Sequence, residues 1–149
     1  MPDFTKALEE GFAAARKADA ARKEIGEVFD ELQAQILQAT ENKVVIERRL
    51  LRDDSQLADP LAIIGLGRPV LRHWAIVAIN PSADGDKIFQ LARWGMDKAG
   101  YPCTVTWSKQ DHICEDKEAL INCLSDLLKD PVVGEKLYTL KQLEPAKKG

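Results

Sequence analysis

Positions that suit one buried stripe recur every three or four residues from Phe4 to Ile36. They are Phe4, Leu8, Gly11, Ala15, Ala18, Arg22, Ile25, Phe29, Leu32 and Ile36. This spacing keeps one stripe on one side of a helix, so residues 3 to about 40 are expected to form a single long helix. Asp3 is placed to cap it, because a short acidic side chain accepts from the free N–H groups of a first turn. No proline lies between Pro2 and Pro60, and Ala, Glu, Lys, Arg and Gln dominate the segment; these are strong helix formers. From Gly11 to Ala21 the residues are mostly small, and from Ile25 to Leu37 they are bulky. The bulky half reads as core. The small half reads as surface, or as a segment packed closely against another backbone. Gly26 costs the helix about 1 kcal/mol relative to alanine and marks a place for a bend.

Beyond Glu41-Asn42 the pattern changes period. Lys43 to Arg52 reads as a strand. Leu61 to Leu66 reads as a short strand among irregular neighbours (Gly65, Gly67, Pro69). Arg72 to Ile79 is the strongest strand signal. Its unbroken run from Trp74 to Ile79 is expected in a central strand covered on both faces. Asn80-Pro81 to Gly85-Asp86 reads as a turn. Asp86 to about Ala99 then reads as a helix with Ile88, Leu91, Ala92, Gly95 and Met96 inward, stopped by Gly100. Tyr101 to Ser108 alternates and pairs with Asp111 to Glu115 as a hairpin. That register puts Cys103, Val105 and Trp107 on one face with His112 and Cys114. Asp116 caps a helix carrying Leu120, Cys123, Leu124, Leu127 and Leu128. Asp130-Pro131 opens a last helix ending near Leu143, with proline at the first helical position.

The resulting expectation is an α+β domain with a long N-terminal helix, a mostly antiparallel sheet of four to five strands and three further helices. Residues 1–40 form the long helix and an expected oligomerisation element, 41–143 the core, and 144–149 a flexible tail. The first helix would be about 55 Å long at 1.5 Å per residue. That exceeds a domain of this size, so its first half is expected to project, fold back or pair with a second copy.

Composition narrows the function more by exclusion than by selection. The chain has 149 residues, 21 Lys+Arg against 24 Asp+Glu, a net charge of −3 and three cysteines. A slight negative charge disfavours sequence-independent nucleic-acid binding, which needs a basic surface. No window has the roughly 18 uninterrupted apolar residues of a membrane span, and the N-terminus has no apolar signal core. An odd number of cysteines makes no disulfide framework, so a reducing cytosol is the expected location.

Catalytic constellations are sparse. Cys103, His112, Cys114 and Cys123 are the only soft ligands near one another, but they lack the short paired spacing of a zinc site. They read as small buried residues. Cys114 with His112 lacks a third group to orient the histidine as a base. Gly65-Leu66-Gly67-Arg68 lacks the lysine and the helix that a phosphate loop requires. The oxygens of Asn80, Ser82, Asp84 and Asp86 lack the glutamate that closes a calcium loop, since Leu91 stands in its place. No metal and no cofactor are expected.

Two surface features remain. Arg48, Arg49, Arg52, Arg68 and Arg72 could form a basic strip, with Trp74 or Trp94 for stacking on a nucleic acid. The long helix offers more apolar edge than a small sheet covers, with Phe4, Leu8, Ala15, Arg22 and Ile25 as expected partner contacts. Arg22 interrupts the seam as a register-setting charge does in oligomers.

One stretch also has a familiar look. It comprises Ala92-Arg93-Trp94, Gly100-Tyr101-Pro102-Cys103-Thr104, Cys114-Glu115-Asp116-Lys117-Glu118-Ala119-Leu120 and Asp130-Pro131-Val132-Val133-Gly134-Glu135-Lys136-Leu137. It resembles the C-terminal part of small proteins encoded by bacterial phages and prophages, over about a third of the chain. The resemblance carries no catalytic motif. It implies an accessory factor or an inhibitor of host machinery. The sequence therefore leads to a non-catalytic, cytoplasmic protein that binds another macromolecule: an accessory protein, an inhibitor or a toxin-neutralising protein, with a homodimer through residues 4 to 37 as one form. The alternatives are a nucleic-acid factor using the arginine strip, and a small metal or thiol enzyme at Cys103, His112 and Cys114.

Overall fold

A computed structural model describes residues 2–52, 72–83 and 88–143. Helix α1 (Phe4–Ala39) is followed by five strands: β1 (Val45–Arg52), β2 (Arg72–Ile79), β3 (Ile88–Asp97), β4 (Gly100–Trp107) and β5 (Gln110–Cys114). Helices α2 (Lys117–Lys129) and α3 (Pro131–Gln142) complete the described chain. The strands lie in sequence order, and every neighbouring pair is antiparallel. This is the expected α+β fold.

The caps are those the sequence encodes. The Asp3 carboxylate accepts from the Lys6 amide, Asp116 from Ala119, and Asp130 from both Val132 and Val133, with Pro131 opening the last helix. The β4–β5 turn is Ser108-Lys109, one residue before the expected Lys109-Gln110, so Cys103 pairs with Cys114 and Val105 with His112: the partners are shifted by two residues, and the shared face is the expected one. Ala75 to Ala78 are all buried, so β2 is covered on both faces.

One expected helix is a strand. The segment predicted to run as a helix from Asp86 to Ala99 contains β3 instead. Its register against β2 shifts between Ile76 and Val77: Ile76 faces Ala92, while Val77 faces Gln90. Leu91 is the extra residue of a bulge, and a bulge reverses which residues face inward. Phe89 and Leu91 face the core before it, Ala92 and Trp94 after it. Two alternating runs joined out of phase imitate the three-four spacing of a helix. Among the described residues there are consequently two helices after the sheet. The expected short strand at 61–66, the Asp86 cap and the tail at 144–149 lie outside the described residues.

The helix α1 crosses one face of the sheet diagonally. Near residue 21 it touches the β3–β4 turn, where a Cβ on Gly100 would meet Ala21. In mid-helix, Phe29 packs edge-on against Trp94, with ring centroids 5.1 Å apart. Its C-terminal end turns through Thr40, whose hydroxyl accepts from the Val44 amide at the entry to β1. The core between α1, α2, α3 and the sheet gathers Ile25, Phe29, Ile46, Ile76, Val105, Leu120, Leu127 and Leu140. Helix α3 is tied down by Asn80, which donates from its side chain to the Leu140 carbonyl at 2.8 Å, and by Lys136, which donates to the Gln90 carbonyl.

Candidate functional site

Residues 2 and 3 and the first helix as far as Lys17 are all exposed, and Ala18 is the first buried position. At 1.5 Å per residue, α1 is about 54 Å long, against about 27 Å for an eight-residue strand, so its N-terminal half runs past the sheet. Phe4, Leu8 and Phe12 stand 76%, 56% and 53% exposed on this overhang. They are spaced four apart and form one ridge.

The expected partner contacts divide three ways. Phe4, Leu8 and Ala15 lie on the exposed overhang. Arg22 is held within its own chain: it pairs with Asp19 at 2.8 Å and donates to the Lys98 carbonyl in the β3–β4 turn. Ile25 is fully buried and belongs to the chain's own core, so it is not a surface contact. Phe12 was missed because the seam was followed through Gly11. A simple i, i+4 count from Phe4 finds it.

The arginine strip also divides. Strand alternation puts Arg48, Leu50 and Arg52 of β1 and Arg72 and Trp74 of β2 on the face that α1 packs against. Arg52 and Arg72 are directly opposite each other at the end of the pair. Arg49 lies on the other face, paired with Glu47. Arg68 lies outside the described residues. Arg48 carries its guanidinium 4.4 Å above the Phe29 ring and 5.4 Å from the Trp94 ring. Burial lowers its pKa, opposed by the nearby Asp30 carboxylate. Because α1 crosses diagonally, it leaves the corner at the end of β1, the start of β2 and the end of β3 partly open. Leu50, Trp74 and Met96 are 41%, 52% and 41% exposed there. A cavity of about 370 Å³ opens at this corner, and Arg48, Trp74, Trp94 and Met96 line it.

The cysteine cluster is buried and packed into the core. Cys103 donates weakly to the Cys114 carbonyl and Cys114 to the His112 carbonyl, each at 3.8 Å. All three thiols are free and buried. Burial pushes Cys103 and Cys123 up to about 12 and raises Cys114 as well. Without a metal all three therefore stay protonated at neutral pH, and a cysteine nucleophile must be a thiolate. His112 stacks on Trp107 at 3.8 Å, and its buried Nε2 has no partner. Among the described residues, no group of three or more His, Cys, Asp or Glu side chains could hold a metal ion. None of their helices is long and apolar enough to cross a membrane. Asn80, an oxygen of the rejected calcium loop, is instead a buried structural residue that also accepts from the Ser82 amide.

Comparison with protein-family models, with curated proteins and with solved structures finds no match.

Proposed function

We propose that this protein is non-catalytic and acts by binding another protein through the exposed N-terminal half of α1. The observation that carries the reading is the ridge Phe4–Leu8–Phe12 on a helical segment whose residues are all exposed up to Lys17. Isolated helices of this length are marginal in water and are stabilised mainly by packing of an apolar face. Contiguous apolar exposure on a polar helix marks an interaction site. The high pKa values of the thiols support the non-catalytic part of the reading, because they deprive the cysteine cluster of a nucleophile.

An accessory protein or an inhibitor fits a small domain that presents one rigid helical arm, and the resemblance of the C-terminal third to phage and prophage proteins points the same way. A toxin-neutralising protein belongs to the same class. The arm also suits a second copy of this chain.

The test is the triple variant Phe4→Gln, Leu8→Gln, Phe12→Gln in the full chain. Light scattering on a sizing column reads self-association, and co-purification from a bacterial lysate reads a stoichiometric protein partner. The proposal expects the wild type to form one of these complexes and the variant to lose it with unchanged circular dichroism. A wild type that forms neither, or a variant that forms the same complex equally well, overturns it.

A further inference from the structure

We propose that the open corner of the sheet at Arg48, Arg52, Arg72, Trp74, Trp94 and Met96 is a nucleotide-binding site, with the base held against Trp74 and Met96 and the phosphate held by the arginines. This site is separate from the α1 overhang and does not depend on what that overhang binds.

Four observations carry it. The corner holds a cavity of about 370 Å³, within the size range of pockets that take small ligands. Its lining is largely apolar and reachable: Trp74 and Met96 are both substantially exposed. An exposed tryptophan on a strand is a stacking platform that any base can use, because every base has a π-face.

Three arginines supply positive charge on this face, with the Asp30 carboxylate near Arg48 offsetting part of it. Arg48 lines the cavity, with its guanidinium held over Phe29 and near Trp94. Stacking fixes the plane of that group and leaves its N–H edge for an anion. Arg52 and Arg72 stand directly opposite one another on the same face. Like charges in that arrangement repel, and a phosphate between two arginines turns the repulsion into paired charge-assisted hydrogen bonds. Arg72 is two residues from Trp74 along one strand, which places it about 6–7 Å from the stacking residue. A base and its own phosphate span a gap of that kind.

The chain's net charge of −3 does not oppose such a site, since it excludes a broad basic surface and leaves a local one intact. The size of the cavity, rather than the net charge, favours a single nucleotide unit. The acidic overhang residues Glu9 and Glu10 and the ion pair of Arg49 with Glu47 offer nothing to a long backbone.

The nucleotide has two possible sources, a free mononucleotide or one unit of a single strand. Calorimetry at low salt on the full chain distinguishes them, with adenosine 5′-monophosphate, adenosine, inorganic phosphate and a short oligothymidylate as probes. The expected result is saturable binding of the monophosphate, with adenosine and phosphate alone each weaker by about tenfold or more. Trp74→Ala, and separately Arg52→Gln with Arg72→Gln, should each weaken binding by about tenfold. All three positions are exposed, so the fold should persist, and circular dichroism checks that it does. Equal affinity for monophosphate and oligothymidylate assigns a free nucleotide. Much tighter binding of the oligothymidylate, lost in the same variants, assigns a strand. No saturable binding of either probe overturns the proposal, as does binding that both variants leave unchanged. Capture of an acidic peptide at this corner with no nucleotide binding overturns it equally.

Discussion

Gly100 and Ala21 lie closer together than any side chain at position 100 would allow. The glycine has a φ of +93°, and a Cβ built on it would meet the Ala21 methyl at 2.7 Å and the Arg22 amide nitrogen at 3.3 Å. The alanine-rich stretch of α1 thus has a structural task at one point. It lets the helix backbone descend onto the β3–β4 turn, where Arg22 then reaches the Lys98 carbonyl.

Gly100→Ala should therefore destabilise the fold by about 2 kcal/mol or more, since it combines a left-handed backbone with a close approach that neither side can relieve. Urea unfolding followed by circular dichroism measures it. An unchanged midpoint would mean that α1 is not seated on this turn. Gly26→Ala is the control. Nothing lies within 4 Å of its added Cβ, so it should stabilise by a few tenths to about 1 kcal/mol through helix propensity alone.

The two halves of α1 should respond very unequally to truncation of their apolar residues. Ile25 is fully buried, and Ile25→Ala should cost about 2–5 kcal/mol. Leu8→Ala removes more exposed apolar surface but leaves no cavity, so the monomer's stability should move by less than about 0.5 kcal/mol. Thermal unfolding at low protein concentration separates the two. A large loss for Leu8→Ala under those conditions would place that residue in the chain's own core.

Much of this division could be read from the residues, and the rest could not for identifiable reasons. Caps, the shared face of the hairpin and the covered strand β2 follow from short-range chemistry: an aspartate before a helix, alternation along two strands, an unbroken apolar run. The hairpin's turn lies one residue earlier than expected, at Ser108-Lys109, which keeps the faces and shifts the partners. The segment around Leu91 failed because its period is interrupted by a bulge that only the partner strand defines. Ile25 and Leu8 occupy the same apolar register, and nothing local says that the sheet ends between them. The arginines could be counted in the sequence. That Arg49 turns away while Arg48, Arg52 and Arg72 share a corner depends on strand alternation and on the β1–β2 pairing. Trp74 and Trp94 were both visible as aromatic residues. Only the diagonal path of α1 leaves one exposed and buries the other.

Tyr101 and Glu24 give a second measure of how α1 is held. The Tyr101 hydroxyl donates to Glu24 Oε1 at 2.8 Å, and burial with this carboxylate raises the phenol's pKa. Tyr101→Phe removes the donor but keeps the ring, so it should cost about 1 kcal/mol. Glu24→Gln should cost less, because an amide oxygen still accepts from the phenol. If both variants match the wild type in urea unfolding, the bond contributes nothing and the helix is held by apolar contacts, the Gly100 approach and the Arg22 bond to the Lys98 carbonyl.

The cysteine cluster predicts how stability depends on alkaline pH. Cys103 and Cys123 ionise at about 12 in the fold, against an ordinary value of 9.0, chiefly because burial disfavours the thiolate. Below about 9 both folded and unfolded chains carry neutral thiols, and their contribution is fully present. Between about 9 and 12 the unfolded chain loses these protons while the folded chain keeps them, so stability falls as pH rises. The Cys103→Ala, Cys123→Ala double variant should show a shallower decline over that interval, even if its stability near neutrality is lower through lost packing. Comparing the variant with the wild type removes the contribution of lysines and tyrosines that titrate in the same range. The same burial predicts that a thiol reagent at mildly alkaline pH finds no fast-reacting cysteine in the native chain and all three after denaturation. A rapidly labelled thiol, or an identical pH slope in the two proteins, would show that the cluster is open to solvent and would return Cys103, Cys114 and Cys123 to consideration as a reactive site.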